Sequence, residues 1–315
     1  MGQKKADFPA HFFANIGKPL QKSIPLRDYS NFKIGGKADY FFDASSVIEL
    51  VVSVSLAREY SFPYYIIGGG YNLLFDDDGF RGIIIKNSVK GVRRKERKTE
   101  IQTFAGTSLS HLIQFTIKEG LSGLEFLAGI PGTIGGAIFG NAGAFEQSTG
   151  DYLKEAELLD RKGEQITVKR DYFKFSYRQS ILKKKHDVLL SATFKLINGE
   201  EEKIKARIEE NLEKREKKHP PQDIACAGSY FKNPVLPDGK RTPAATFLEK
   251  VGAKHLTKGR ASVYPGHSNF IITQEGASAR DVIDLAQELK KRVKERFNIE
   301  LEEEVIFLPA DSSLL

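Results

Sequence analysis

Residues 64–80 read YYIIGGGYNLLFDDDGF: an apolar strand, Tyr64–Ile67, runs straight into Gly68, Gly69 and Gly70, with Tyr71, Asn72 and Leu73 behind them. Glycines set directly after a strand let the main chain turn tightly and leave N–H groups free to face phosphate oxygens. The spacing is not a dinucleotide fingerprint. Counted from Gly68 the required third glycine falls at Leu73, and counted from Gly70 the second falls at Asn72. The Lys-Ser/Thr pair of a P-loop is missing as well. Taken alone, the segment fits a tight structural turn as well as it fits a phosphate cradle. Asp76-Asp77-Asp78, just beyond it, reads as a solvated turn, because three consecutive acids do not easily converge on one metal ion.

A second segment combines GIPGTIGG (129–136) with GNAG (140–143). Gly129, Pro131, Gly132, Thr133, Gly135, Gly136, Asn141, Ala142 and Gly143 imply close approach of the main chain to something flat or charged. A small-residue helix packed on a sheet accounts for part of this pattern. Two such segments in one chain point to an extended cofactor that carries a pyrophosphate.

The flanking sequence alternates strand and helix signals. Residues 37–43 and 83–85 read as strands, with Ser46 capping a helix between them, since Glu49 follows three residues later. This βαβ-like unit closes near residue 90. Residues 90–99 read as a basic hairpin or sheet edge. A strand at 101–105, a helix at 108–119 stopped by Gly120, and strands at 153–160, 165–169 and 188–196 follow. Residues 200–219 read as a long charged helix, 245–251 as a short one, 270–272 as a strand, 279–297 as an amphipathic helix and 301–308 as a final strand. Residues 1–25 read as a loosely held leader.

Composition narrows the class. The chain has 315 residues, which predicts two or three domains, and its formal charge of +7 favours an anionic partner. Nucleotide phosphates meet that preference as well as nucleic acid does, and the Lys and Arg residues lack the aromatic-studded groove pattern of single-strand binding. Cys226 is the only cysteine, which excludes an intrachain disulfide and a cysteine-based zinc cluster. It reads as a small buried hydrophobe. No apolar run has signal or bilayer-spanning length, so a cytoplasmic location without membrane insertion is expected.

Among single residues, Arg178 stands out in FKFSYRQS (173–180), where a planar guanidinium can hold a carboxylate or phosphate or form a structural ion pair. Ser229 follows Gly228 and reads as a turn or cap residue, with no G-x-S-x-G elbow around it. Lys232 reads as a solvated lysine, and Glu304 as one face of an alternating strand.

An ordered set of motifs changes that weighting. Asn31-Phe-Lys-Ile-Gly-Gly36, Gly68-Gly-Gly-Tyr-Asn-Leu-Leu74 and Ile130-Pro-Gly-Thr-Ile-Gly-Gly-Ala137 come first; Asn141-Ala-Gly143 and Tyr177-Arg-Gln-Ser180 follow. Gly228-Ser-Tyr-Phe-Lys-Asn-Pro234, His267-Ser-Asn-Phe-Ile271 and Leu301-Glu-Glu-Glu-Val305 complete the set. Over residues 25–308 the chain resembles the UDP-N-acetylenolpyruvoylglucosamine reductase family. The resemblance implies an α+β chain, with a two-part FAD-binding fold of the vanillyl-alcohol-oxidase/PCMH type and a C-terminal α+β substrate-binding domain. It implies FAD-binding subdomains at 1–90 and 91–198, the second joined by a strand at 300–309, and a substrate-binding domain at 199–299.

By the same resemblance, Arg178, Ser229 and Glu304 are catalytic, Ser229 being the general acid. Ile67, Gly68–Leu73 and the residues named from 129–143 contact FAD, and Tyr177, Lys232 and Asn233 contact substrate. The implied reaction uses NADPH, through FAD, to reduce the enolpyruvyl ether of a UDP-sugar in peptidoglycan precursor synthesis. A monomer is expected, with no metal and no nucleic-acid partner. Two departures matter: the family commonly carries serine where this chain has Tyr71, and the short span after Ser180 resembles the form that lacks a substrate-covering insertion. Another FAD oxidoreductase or oxidase of the same flavin fold is the nearest alternative, and a nucleotide- or nucleic-acid-binding protein a distant one.

Overall fold

The computed structural model describes residues 2–96, 99–221 and 223–311. The chain divides into two compact units, each assembled from separate stretches. Met1–Gln21, Phe41–Gly69 and Ile83–Arg215 form the first; Lys22–Tyr40, Gly70–Gly82 and Glu216–Leu315 form the second.

In the first unit, the strand Tyr64–Ile67 pairs in parallel with residues 83–86, in the register Tyr64–Ile83 to Ile67–Lys86. The helix that precedes this strand, Val47–Glu59, is capped by Ser46, whose hydroxyl accepts from the Glu49 N–H at 3.2 Å. The Glu49 carboxylate reaches back to the N–H of Ser45 at 2.9 Å, one residue further than a standard capping box. A five-stranded antiparallel sheet follows, in the order Gln165–Lys169, Leu153–Leu159, Val188–Lys195, Glu100–Phe104, Val92–Arg94. Val92–Arg94 is therefore the edge strand foreseen for the basic stretch at 90–99, of which residues 97 and 98 lie outside the described residues. The helix Leu109–Lys118 turns Leu109, Leu112 and Ile113 into a core with Phe126, Ile134, Leu158, Phe173 and Phe194.

The leader expected at the N-terminus is instead a helix, Gly2–Ile16, as far as the described residues show it. Phe8 and Phe12 are fully buried, Phe8 stacking on Phe62 at 4.2 Å and Phe12 meeting Phe42 edge-on at 4.9 Å. Their i, i+4 spacing puts both rings on one helix face, a stripe of only two residues beside an exposed Phe13.

In the second unit, the antiparallel sheet Cys226–Ser229, Phe270–Thr273, Ala261–Val263, Thr257–Lys258 packs with the helices Ala244–Lys250 and Ala279–Phe297. The long helix buries Val282, Leu285, Ala286, Leu289 and Val293, as its pattern predicts. Its first turn is satisfied twice: Ser278 and Asp281 form a capping box, and the Asp77 carboxylate accepts from the N–H groups of Ala279 (2.8 Å) and Arg280 (3.3 Å). Asp76 accepts from the N–H groups of Asp78 and Ala310. The acidic triplet is thus a backbone-binding device rather than only a solvated turn. The last strand is shorter than the pattern suggests, Ile306–Leu308, and runs parallel to Leu73–Phe75.

Phe12→Ala should lower stability by about 3–5 kcal/mol, read as a drop in the urea midpoint. An unchanged midpoint would show that the N-terminal helix is not part of the folded unit.

Candidate active site

The site residues of the first unit gather around one seven-residue helix. Thr133 caps Ile134–Gly140, its hydroxyl accepting from the Gly136 N–H, and Asn141 ends the helix in the left-handed conformation. The Asn141 side chain then works in both directions, donating to the Ser176 carbonyl at 2.9 Å and accepting from the Gly150 N–H at 2.9 Å. Ser180 donates to the Phe139 carbonyl at 2.7 Å. Tyr177 and Arg178 sit at the corner of a two-residue turn closed by Ser176 and Gln179, where Arg178 takes a φ of +55°. A left-handed conformation costs a non-glycine residue about 1–2 kcal/mol, so the turn needs outside support. Arg178 Nη2 donates to the Gly143 carbonyl at 2.8 Å, its guanidinium lies 5.0 Å from the Tyr177 ring centroid, and Lys183 Nζ donates to the Arg178 carbonyl at 2.8 Å. The NAG and YRQS motifs are therefore one structure.

Gly68 ends the strand Tyr64–Ile67 against the same segment. A Cβ at Gly68 would fall 2.3 Å from Thr133 Oγ1, far inside van der Waals contact. Around Thr133 the main chain lies open: Cβ atoms added at Gly132 and Gly140 would meet nothing within 4 Å, and one at Gly136 only Thr133 Oγ1 at 3.7 Å. Gly132 has a φ of +139°, which only glycine adopts readily. A lane of uncovered backbone beside a helix start fits the pyrophosphate and flat ring system of FAD.

In the second unit, Ser229 ends a strand that carries a bulge between Cys226 and Ser229, with Gly228 at φ +76°. Simple alternation from the buried Ala227 would bury Ser229; the bulge breaks it, and Ser229 is left half-buried. The next three residues are held from both sides. Tyr230 N–H donates to the Asn269 carbonyl at 2.8 Å, and the Asn269 side-chain amide exchanges two hydrogen bonds with Phe231, at 3.0 and 2.8 Å. Opposite, Glu304 N–H donates to the Tyr230 carbonyl and Lys232 N–H to the Glu302 carbonyl, both at 2.8 Å. Asn72 extends the arrangement, its amide donating to the Glu304 carbonyl at 3.0 Å while its own carbonyl accepts from Ile306 N–H at 3.1 Å.

Side chains here separate by task. Lys232, expected to be solvated, is buried and pairs with the Glu302 carboxylate. Glu303 pairs with Lys290 on the long helix at 3.3 Å. Asn233 Oδ1 accepts from the Ala244 N–H at 3.0 Å, a helix-capping contact. Tyr71 is 40% exposed. Burial raises the Tyr230 phenol well above its ordinary value, with Glu303 adding to the shift, so it stays protonated at neutral pH. Burial also raises the Cys226 thiol, in keeping with an inert buried cysteine. No cluster of His, Cys, Asp and Glu among the described residues could hold a metal ion.

Comparison with known proteins places these features in a class. Residues 38–169 match the FAD binding domain family, and residues 219–308 match the family described as UDP-N-acetylenolpyruvoylglucosamine reductase, C-terminal domain. With the open glycine lane, these define an FAD-dependent oxidoreductase of α+β architecture. The UDP-N-acetylenolpyruvoylglucosamine reductase of Clostridium botulinum (strain Eklund 17B / Type B) is 34% identical over 95% of this chain and 97% of its own. That of Chlamydia muridarum is 37% identical over 94% and 96%. The crystal structure of UDP-N-acetylenolpyruvylglucosamine reductase (MurB) from Thermus caldophilus superposes with a TM-score of 0.76 at 29% identity, covering 92% of this chain and 99% of that one. The chain belongs to the UDP-N-acetylenolpyruvoylglucosamine reductase family.

Gly68→Ala should fold but purify with several-fold less flavin per chain, measured as the ratio of flavin to protein absorbance after gel filtration. Wild-type flavin content would remove Gly68 from the cofactor site.

Proposed function

We propose that this enzyme reduces the enolpyruvyl ether of UDP-N-acetylglucosamine to UDP-N-acetylmuramate with NADPH as reductant, working as a cytoplasmic monomer in peptidoglycan precursor synthesis. The observation that carries the residue assignment is the 2.8 Å bond from Glu304 N–H to the Tyr230 carbonyl, which sets the terminal glutamate beside the residue after Ser229. Two motifs 75 positions apart (304 − 229) are joined by main-chain bonding, so their spacing does not rely on flexible side chains.

FAD held by the segments at 67–73 and 129–143 would supply hydride chemistry directed at the outer carbon, C3, of the enolpyruvyl group. Negative charge then develops from C2 into the conjugated carboxylate. Arg178 is assigned to that charge, where a preorganised guanidinium lowers the barrier. Ser229 delivers the proton to C2; a serine is a poor acid in water, but an adjacent enolate is a strong base and the donor is already positioned. Glu304 is assigned to the same developing charge and contributes only while protonated or donating through a shared proton. Lys232 supports the Ser229 segment through Glu302, and Asn233 fixes its exit by capping the next helix. Tyr177 forms a wall under Arg178. FAD contacts are assigned to Ile67, Gly68–Leu73, Gly129, Pro131–Thr133, Gly135, Gly136 and Asn141–Gly143. Tyr71 replaces the family's common serine, so phosphate recognition there is assigned to the main chain.

Ser229→Ala should keep bound yellow flavin and normal flavin reduction by NADPH, and slow reoxidation by the enolpyruvyl sugar nucleotide by roughly 10²–10⁴-fold. Stopped-flow flavin absorbance separates the two halves. Normal reoxidation in S229A would end the assignment of Ser229. Reduced wild-type flavin that ignores the sugar nucleotide but oxidises rapidly in air would favour an oxidase.

A further inference from the structure

The segment Ser30–Phe32 belongs to neither the catalytic set nor the glycine-rich loops, yet within the second unit it touches the supports of both. Two of its residues are anchors. Ser30 is buried and its hydroxyl donates to the Leu73 carbonyl at 3.1 Å. Phe32 sits in the core of the unit, and its carbonyl accepts from the Thr273 hydroxyl at 2.8 Å. Asn31 between them is only half-buried, so packing alone does not require it. It makes two bonds in different directions. Its N–H donates to the Gly70 carbonyl at 3.1 Å, and its side-chain amide donates to the Cys226 carbonyl at 2.6 Å.

Both acceptors matter for what they adjoin. Gly70 leads through Tyr71 to Asn72 and Leu73, and a Cβ added at Gly70 would fall on the Tyr29 carbonyl oxygen, so the chain before Asn31 lies directly against that loop. Cys226 begins the strand that ends at Ser229. That strand is the edge of its sheet among the described residues, paired only with Phe270–Thr273. An edge strand leaves main-chain groups outside the ladder. Asn31 takes the carbonyl at its start, and Glu304 N–H takes the Tyr230 carbonyl just past its end, at 2.8 Å. The Glu304 carbonyl in turn accepts from the Asn72 amide at 3.0 Å. These bonds close a ring, from Gly70 through Asn31 to Cys226 on one side and from Asn72 through Glu304 to Tyr230 on the other. Ser229 lies between the two attachments on the strand, and Tyr71 between the two on the loop.

We propose that Asn31 is a positioning residue for the proton transfer, its side chain clasping the start of the Ser229 strand to the glycine loop as Asn72 clasps the end through Glu304. The inference rests on the function proposed above and on Ser229 as the proton donor within it. A strand held at one end can pivot, whereas one held at both ends gives Ser229 a single position relative to the loop. The two bonds of Asn31 are also separable. The main-chain bond to Gly70 is available to any residue but proline, so a change of side chain cuts only the Cys226 end.

The test compares the wild-type holoenzyme with Asn31→Asp, Asn31→Ala, Ser229→Ala and the double variant N31D/S229A. Aspartate keeps the shape but turns an acceptor toward the Cys226 carbonyl, and alanine removes the donor without that repulsion. Measured are flavin content, the thermal midpoint, both half-reactions by stopped flow, KM for the enolpyruvyl sugar nucleotide, and amide hydrogen exchange of the peptide 226–229. Reoxidation by the sugar nucleotide should slow about 10–100-fold in N31D and less in N31A. Flavin content, flavin reduction by NADPH and KM for the sugar nucleotide should hold, because the loop keeps its own bond. Amide exchange in 226–229 should quicken in both variants, a readout independent of turnover. In the S229A background N31D should add less than about twofold, since the group it positions is gone.

Wild-type reoxidation in N31D and N31A, an equal slowing of both half-reactions, a loss confined to flavin content, or the full N31D factor persisting in S229A would overturn the proposal. Should N31D fail to fold, wild-type reoxidation or unchanged amide exchange in a folded N31A would overturn it equally. Wild-type enzyme that does not turn over the sugar nucleotide at all defeats the proposed function instead, a result distinct from an active wild type with a silent N31D.

Discussion

The segment 229–232 has its main chain bound on both edges, and the second unit is organised around that fact. Asn269 holds one edge with its carbonyl and both ends of its side-chain amide; residues 302–304 hold the other with two main-chain bonds. Buried N–H and C=O groups must be paired wherever they lie. Here that requirement also removes the freedom of the serine and glutamate assigned to the reaction. A catalytic group on a mobile loop must be ordered at each turnover, whereas one attached to a doubly bonded strand is ordered by folding.

The first unit solves the corresponding problem without a long strand. Arg178 has an unfavourable backbone conformation on a two-residue turn, and the turn is tied to the Asn141–Gly143 segment by the Asn141 amide, the Arg178 guanidinium and the Ser180 hydroxyl. Each bond alone is modest, about 0.5–1.5 kcal/mol net. Together they exceed the cost of a left-handed arginine, so the conformation is stable because three neighbours share its support. The same segment carries the open glycine lane, where some glycines leave backbone uncovered, and Gly68 on the facing strand makes room for Thr133.

Much of this was legible in the sequence because local signals and burial agree. The Ser46 cap, the buried stripe of 279–297 and the strand before Gly68 follow from spacing alone. The motif order carried the family, as the relatives and the superposed structure bear out. What stayed hidden depends on partners remote in the chain. Asp77 caps a helix that begins 202 residues later, Asn269 binds a strand 38 residues earlier, and Lys232 finds Glu302 from 70 residues away. No periodicity encodes such pairings. The N-terminal helix was missed for another reason: two buried phenylalanines dock it, and two residues make a weak periodic signal.

The three consecutive glutamates at 302–304 show how position divides identical chemistry. Glu302 neutralises Lys232, which would otherwise be a buried cation, and Glu303 faces Lys290 on the long helix. Both carboxylates are thereby committed to holding the second unit together. Glu304 differs in that both its main-chain groups are engaged, the N–H with Tyr230 and the carbonyl with Asn72. Its backbone thus links the strand bearing Ser229 to the second half of the first glycine-rich loop. Shifting the register by one residue would place a glutamate of the wrong partnership beside Tyr230 and leave Lys232 without its anion. The lysine–glutamate pairs therefore act as a register lock.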